Sequence, residues 1–341
     1  MTHYRIALLG FGNVGQAFVR LLQRKKDMLL KEYDLSFSVT GIATGHHGMA
    51  IDPRGINFGH ALKLISIGKN VDELSGKKPI SSPLEFIRSC SADVLFENTP
   101  VNYTDGQPAV DYLRAALQAG MHAITANKGP VVHAYRELTQ LAENSGRRFF
   151  FESAVMDGAP IFSLFRESLP AAELHGFSGI LNSTTNLILS RMEGGETYEQ
   201  AITYAQSIGI AETDPSGDID GWDAAVKVAA LVTVLMGIPL KPSQVDRTGI
   251  RGLTPEDIGQ AIKQAKRWKL VCTARRDGNA VHARVHPELV GEDSPLYGVN
   301  GTSSIITFET DVLPQLSIVE GNPGPETTAY GLLADFINAI R

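Results

Sequence analysis

Cysteine is nearly absent. Cys90 and Cys272 are the only two in 341 residues, too few for a disulfide framework and without zinc-site spacing. A reducing compartment, the cytoplasm, is the expectation. Long hydrophobic runs are also missing. The longest near the centre, residues 228–236, falls far short of the roughly 20 residues needed to cross a bilayer. The opening MTHYRIALLGFG enters a strand directly, with no signal-peptide pattern. No membrane association is expected. No basic block stands out either: 31 Lys and Arg against 37 Asp and Glu leave a net charge of −6. Basic and aromatic residues do not interleave, so nucleic acid is not an expected partner. Repeats and low-complexity tracts are lacking. What remains is ordinary globular composition, 43% hydrophobic and 20% charged, with length for two domains and an ample core.

Residues 4–9 (YRIALL) read as a short strand running into Gly10-Phe11-Gly12-Asn13-Val14-Gly15, a complete G-x-G-x-x-G. A helical pattern follows from about residue 13 to 30, with Val14, Ala17, Phe18, Leu21 and Leu22 on one face. In such a unit the first glycine makes the tight turn, the second lets backbone approach a pyrophosphate, and the third lets helix pack on strand. The helix N-terminus offers its N–H groups to the phosphates. The motif alone is weak; a strand before it and a helix after it make it a dinucleotide fingerprint. Gly10, Gly12, Asn13, Val14 and Gly15 are therefore candidate cofactor contacts.

A second strand, residues 37–43, ends in Thr44-Gly45-His46-His47. An NAD-specific site usually has Asp or Glu there. Without that carboxylate, and with Arg54 close in sequence, the loop leans toward NADP while leaving NAD open. A strand at 92–97 turns polar at Asn98-Thr99-Pro100-Val101-Asn102, which places Thr99 and Pro100 at the sheet's ligand-binding edge. A helix at 107–119 and a strand at 122–126 lead to Asn127-Lys128-Gly129-Pro130, which aims Lys128 at the cofactor crevice. A helix at 131–144 and a strand at 147–152 complete the alternation. It predicts an α/β fold with a Rossmann-type doubly wound parallel sheet over residues 1–150.

The second half centres on residues 209–231, GIAETDPSGDIDGWDAAVKVAAL. Pro215, Gly217 and Gly221 mark its first part as irregular loop carrying Glu212, Asp214, Asp218 and Asp220. The second part is helical, and Asp220 or Asp223 suits its first turn. Asp223 and Lys227 share a helix face, and the apolar residues around Lys227 bury its stem. A half-buried lysine facing carboxylates makes either an ion pair or a proton donor with a tuned pKa. Around this centre lie a strand ending at Asn182, helices at 183–189 and 197–208, and a capped helix at 254–266 with Thr254 as N-cap and Pro255 behind it. Strands at 269–274, 281–285, 304–310 and 315–319 predict an α+β domain with a mixed sheet over 151–320. Residues 321–341 open a final helix.

Four of these motifs, in this order, resemble the homoserine dehydrogenase family. They are Gly10–Gly15, Thr125–Pro130 (T-x-N-K-x-P), Gly179–Asn186 (GILNSTTN), and Glu212–Lys227, where E-x-D-P and D-G-x-D precede the lysine. The resemblance covers nearly the whole chain. It departs at Ser183, where the family usually has Gly, and at Pro323 and Pro325, which replace residues of a glycine-rich turn. It implies NAD(P)-dependent interconversion of L-homoserine and L-aspartate 4-semialdehyde, with Lys128 and Lys227 catalytic. Glu212, Asp218, Asp223, Lys227 and Thr184 become substrate contacts. Lys128 and Gly324 join the cofactor contacts, the latter on a helix returning to the first domain. At the hinge the resemblance implies a monovalent cation such as sodium, held by the Glu152 carboxylate and the carbonyls of Val155, Asp157 and Ala159. Capping or pairing is the other reading of Glu152. The resemblance also implies a homodimer formed through the mixed sheet. Which lysine gives the proton stays open.

Other readings are a different dehydrogenase of the same layout, acting on another amino-acid semialdehyde, and a non-catalytic nucleotide sensor. A sensor has no need of Lys128, Glu212, Asp223 and Lys227. An acyl-phosphate-forming aldehyde dehydrogenase needs a nucleophilic cysteine at a strand-end loop, and neither Cys90 nor Cys272 stands at one.

Overall fold

Side chains of a strand alternate between faces. In β1 (Thr2–Leu9) both faces are buried: Ile6 and Leu8 join one apolar cluster, Ala7 and Leu9 another. That is the signature of a strand inside a parallel sheet covered on both sides. The computed structural model describes residues 2–76 and 80–341, which divide into two units, Met1–Pro160 with Gly324–Arg341, and Ile161–Pro323.

In the first unit β1 is followed by α1 (Asn13–Tyr33), β2 (Leu35–Ala43), β3 (Met49–Ile51), α2 (Phe58–Ser66), α3 (Pro83–Ser89) and β4 (Val94–Glu97). Then come α4 (Ala109–Gln118), β5 (His122–Thr125), α5 (Lys128–His133), α6 (Tyr135–Asn144) and β6 (Phe149–Phe150). The sheet order is β3-β2-β1-β4-β5-β6. Every neighbouring pair is parallel except β2 with β3. The chain winds outward from β1 in one direction to β2 and in the other from β4, so the topological switch point lies between β1 and β4.

The second unit contains β7 (Leu174–Ile180), α7 (Ser183–Glu193), α8 (Tyr198–Ser207), α9 (Ser216–Ile219) and α10 (Trp222–Leu235). These are followed by β8 (Asp246–Arg247), α11 (Pro255–Lys263), β9 (Lys266–Asp277), β10 (Ala280–Gly291), β11 (Ser304–Thr310) and β12 (Leu316–Glu320). Its sheet runs β12-β11-β7-β9-β10-β8 and is mixed, because β8 alone pairs in parallel. α12 (Pro325–Ala339) then rejoins the first unit. There Phe336 meets Tyr4 and Phe96 edge-on, with ring centroids 5.8 Å apart in both pairs.

Several elements differ from the sequence reading for identifiable reasons. The helix expected at 131–144 is two helices broken at Ala134, and the first begins at Lys128. Proline is tolerated in a helix's first turn, where its missing N–H has no acceptor to lose, so Pro130 does not delay the start. The strand expected at 147–152 stops at Phe150, and the Glu152 N–H is taken instead by the Asp335 carboxylate at 2.7 Å. The acidic loop contains one helical turn, α9. β9 and β10 run well beyond their apolar cores because the two-residue turn Gly278-Asn279, with Gly278 at φ +58°, lets the ladder continue from Asp277↔Ala280 to Lys266↔Gly291.

One buried charge stands out in the second unit. Lys269 on β9 is fully buried, and its ammonium donates to the Val299 carbonyl at 2.6 Å and to the side-chain oxygens of Asn186 and Asn300 at 3.2 Å. Burial pushes its pKa down from 10.5 to about 8, against the pull of nearby Glu193. Between those values the unfolded chain holds a proton that the folded chain has released. Lys269 should therefore make stability rise with pH across that window, by up to about 1.4 kcal/mol per pH unit for one proton. Below the folded pKa both states are protonated and the contribution is flat. Denaturant melts of the wild type minus those of Lys269→Met, taken from pH 7 to 10, should show this slope. A flat difference would mean the lysine titrates normally.

Candidate active site

The turn between β1 and α1 separates its three glycines into two kinds. Gly10 has φ +96°, and a Cβ on it would lie 2.4 Å from the Asn98 carbonyl oxygen; one on Gly15 would lie 2.5 Å from the Gly10 carbonyl oxygen. Both positions are closed by the protein's own backbone. A Cβ on Gly12 would meet nothing within 4 Å. Gly12 is the N-cap of α1, which has no side-chain cap and no acidic residue in its first turn. The N–H groups of Asn13, Val14 and Gly15 therefore begin a helix with no acceptor inside it, at the positive end of its dipole. These residues fit a dinucleotide pyrophosphate. Gly324 is likewise the N-cap of α12, with extended backbone and nothing within 4 Å of a Cβ. But that helix opens with Pro325, which has no N–H, and carries Glu326 in its first turn, and the Gly324 N–H is bonded to the Thr327 hydroxyl at 2.8 Å.

At the carboxyl ends of β4 and β5, Thr99 and Lys128 are joined by side chains. Thr99 donates its N–H to Glu97 at 2.7 Å, and its carbonyl accepts from the Asn127 amide at 3.2 Å. The other end of that amide caps α5 by accepting from Gly129 N–H at 2.9 Å, which fixes Lys128 as the helix's first residue. Pro100 is exposed beside Thr99.

The loop after β2 carries no carboxylate of its own. Thr44 closes it, accepting from His47 N–H at 2.7 Å and donating to the Gly48 carbonyl at 2.9 Å. Arg54 does not join this loop. Its guanidinium forks onto Asp52 at 2.9 and 3.1 Å, and Asp52 is bonded back to Thr40. Closeness in sequence misled because β3 folds back along β2, carrying residue 54 away from the strand's carboxyl end. An acid that the sequence reading missed, Asp72, accepts from Met49 N–H at 2.7 Å beside this turn.

The proposed cation ligands lie along one short segment of the first unit. Glu152 is buried within a 3₁₀ turn, Glu152–Ala154. Val155 and Ala159 are buried, and between them Met156 and Asp157 take left-handed conformations, φ +52° and +47°, which non-glycine residues adopt only under constraint. The Asp157 carboxylate accepts from the Thr327 hydroxyl at 3.1 Å. One buried carboxylate with backbone carbonyls on such a turn suits a hard cation. Among the described residues no group of three or more His, Cys, Asp or Glu side chains could hold a metal.

In the second unit the charged groups gather around an amide. Asn182, buried at the end of the β7 chain, caps α7: its side-chain oxygen accepts from Thr185 N–H and the Thr185 hydroxyl, both at 2.8 Å. That fixes the orientation of the amide. Its NH2 end donates to Asp218 at 2.6 Å and to Asp223 at 3.0 Å. The same Asp223 oxygen lies 3.0 Å from the Lys227 ammonium, which also donates to the Leu181 carbonyl at 2.6 Å. Lys227 and Asp223 are mostly buried, with side chains 16% and 11% exposed. Burial, reinforced by the charge of Asp223, raises the pKa of Asp218, while hydrogen bonds from Asn182 and Thr184 and the charge of Lys227 oppose the rise.

Asp218, Asp223, Lys227 and Thr184 are thus brought together. Glu212 stands apart: it is exposed in the loop after α8, with its main-chain carbonyl bonded to Gln206 at 3.2 Å. Asp220 pairs with Arg251 at 2.9 Å, leaving Asp223 as the acid of the first turn of α10. Two groups went unassigned from sequence, Asn182 and the Leu181 carbonyl. Asn182 was visible inside GILNSTTN but read only as a strand end. Neither cysteine can serve as a nucleophile: both are buried, and burial pushes the Cys272 thiol up to about 12.

Fold and glycine turn together define a protein of the Rossmann dinucleotide-binding class with a second, separately folded α+β unit. The comparisons narrow the class. Residues 10–152 match the family model "Homoserine dehydrogenase, NAD binding domain", and residues 160–337 match the model "Homoserine dehydrogenase". The chain belongs to the homoserine dehydrogenase family. It is 32% identical over 339 residues to the NAD(+)-dependent homoserine dehydrogenase of Pseudomonas canavaninivorans, covering 99% of this chain and 96% of that one. It is 36% identical over 334 residues to the homoserine dehydrogenase of Methanocaldococcus jannaschii, covering 98% and 97%. A solved structure from Archaeoglobus fulgidus matches with a TM-score of 0.86 at 32% identity, over 98% of both chains.

The glycine turn makes a sharp prediction. Gly12→Val should abolish dinucleotide binding while leaving the protein folded, with a stability loss of no more than about 1 kcal/mol, because a Cβ there meets no neighbour and the remaining cost is that of a poorer N-cap. Gly10→Ala and Gly15→Ala should instead destabilise the fold by about 1–3 kcal/mol through overpacking. Calorimetric titration and thermal melts of the three variants check this. Normal binding by Gly12→Val would move the phosphate site elsewhere.

Proposed function

We propose that this protein interconverts L-homoserine and L-aspartate 4-semialdehyde with NAD or NADP, a step in making threonine, methionine and isoleucine. The observation that carries the reading is the Lys227 ammonium, held by Asp223 and the Leu181 carbonyl beside Asn182 in a chain of this family. The nicotinamide, when bound, gives or takes the hydride. The protein's residues manage the charge and the proton. As the aldehyde is reduced its oxygen becomes negative and needs a cation and a proton. Lys227 can supply both, and Lys128 at the start of α5 is the second candidate. Asp218, Asp223, Thr184 and the exposed Glu212 suit the substrate's ammonium or an ordered water. The dinucleotide lies against Gly10–Gly15, Thr99, Pro100, Lys128 and Gly324. Thr44, His46 and His47 end β2 without a carboxylate, so NADP is accepted at least as well as NAD. Glu152 with the carbonyls of Val155, Asp157 and Ala159 holds a monovalent cation such as sodium.

The protein works in the cytoplasm as a homodimer. Val312 and Val319, 62% and 61% exposed along the β11–β12 hairpin, are the apolar surface that supports the dimer. No helix among the described residues is long and apolar enough to cross a membrane.

Oxidation of homoserine against a panel of other hydroxy amino acids tests the substrate. No preference for homoserine would refute the assignment. Lys227→Met keeps the apolar stem and removes the charge; kcat should fall by roughly 10² or more at a temperature where the variant is still folded, and any drop in the thermal midpoint reports the loss of the buried pair with Asp223. A folded Lys227→Met with near wild-type turnover would make the lysine a structural ion-pair partner only. A parallel Lys128→Met shows whether both lysines are needed. For the cofactor, steady-state kinetics should give NADP a kcat/KM at least equal to that of NAD. A marked NAD preference that disappears when Thr44 or His46 is changed would reverse that reading.

A further inference from the structure

Glu97 closes β4 with no solvent exposure. Its hydrogen-bond partners are neutral. One carboxylate oxygen accepts the Thr99 N–H at 2.7 Å and the Thr99 hydroxyl, and the other accepts the Thr125 hydroxyl at 2.6 Å. Thr125 in turn accepts Asn127 N–H at 2.9 Å, and the Asn127 amide donates to the Thr99 carbonyl at 3.2 Å. The bonds close a ring through Glu97, Thr125, Asn127 and Thr99. A branch from the Asn127 side-chain oxygen caps α5 at Gly129 N–H, 2.9 Å away.

A buried carboxylate without a cation is costly, and burial raises the pKa of Glu97 against the pull of these hydrogen bonds. Strand pairing alone does not explain this choice of residue, because β4 and β5 already pair with Glu97 opposite Thr125. A carboxylate differs from a neutral amide in accepting at both oxygens, and here both are used. The ring also engages the N–H, the hydroxyl proton and the carbonyl of Thr99, while the hydroxyl oxygen and the carbonyl keep lone pairs that can still accept.

We infer that Glu97 is a positioning residue for the reaction: through Thr99, Thr125 and Asn127 it holds the Thr99-Pro100 edge and the Lys128-bearing start of α5 in one fixed geometry for the cofactor. This rests on the cofactor and lysine assignments proposed above.

The test compares Glu97→Gln, Thr125→Val and Thr125→Ser for kcat, dinucleotide Kd, KM for homoserine and thermal midpoint. Gln can accept at only one end, so Glu97→Gln should lower kcat and weaken dinucleotide binding, each by about tenfold, with KM for homoserine unchanged. Thr125→Val should behave in the same way, and Thr125→Ser, which keeps the hydroxyl, should restore wild-type kinetics. If Glu97→Gln does not fold, the Thr125 pair decides. A lower midpoint with wild-type kcat and Kd in the folded variants would reduce Glu97 to a structural tie and overturn the inference. Gly12→Val separates the two levels. If it binds dinucleotide normally, the cofactor assignment has failed. If it loses binding while Glu97→Gln and Thr125→Val keep wild-type kcat and Kd, only the role given to Glu97 has failed.

Discussion

Every α-helix begins with N–H groups that its own carbonyls cannot reach, and four helix starts in this protein meet that constraint in two ways. α5 and α7 are capped by asparagine, Asn127 and Asn182, whose oxygens accept the leading N–H groups. The remaining amide hydrogens organise protein groups: the Thr99 carbonyl in one case, Asp218 and Asp223 in the other. α1 and α12 begin at glycine, with no side-chain cap and open space over the missing Cβ. Amide-capped starts build the protein's own scaffold. The glycine start of α1 leaves its leading N–H groups without an acceptor inside the helix, whereas α12 opens with Pro325, which has no N–H.

The amide at Asn182 has a further effect because its orientation is determined. Its oxygen is committed to Thr185, so its NH2 must face the two aspartates. A neutral donor shared by two carboxylates reduces their repulsion without adding charge. Lys227 then remains the cation that faces this cluster.

The glycine turn, the β4 and β5 edges and the 209–231 stretch were legible because each depends on local chemistry: a backbone approach, a strand end, a helical spacing of four. Arg54 was misplaced because the antiparallel return of β3 is a tertiary fact that linear distance does not reveal. Glu212 lies in the acidic run, yet only the fold shows that Asp218 and Asp223 meet Asn182 and that the Glu212 side chain is exposed. Glu97 was read as the last residue of an apolar strand. Its importance comes from Thr125 and Asn127, some thirty positions later, reached only when β5 pairs beside β4. β3, α2, α3 and β8 were missed. Their lengths of two to nine residues offer little periodicity, although Asn57 and Ser82 mark the starts of α2 and α3 as N-caps.

The first unit is discontinuous: the chain leaves it at Pro160 and returns at Gly324. α12 supplies Leu332, Leu333 and Phe336 to the cluster that holds Ile6, Phe18 and Phe96. During synthesis the ribosome therefore makes the whole of Ile161–Pro323 before the N-terminal sheet receives its last covering helix. The inserted unit is contiguous and can fold as a block as it emerges. The dinucleotide unit, although its strands are made first, must wait with the cluster of Ile6, Phe18 and Phe96 incompletely covered. Translation order thus makes the older half of the chain the later half to mature.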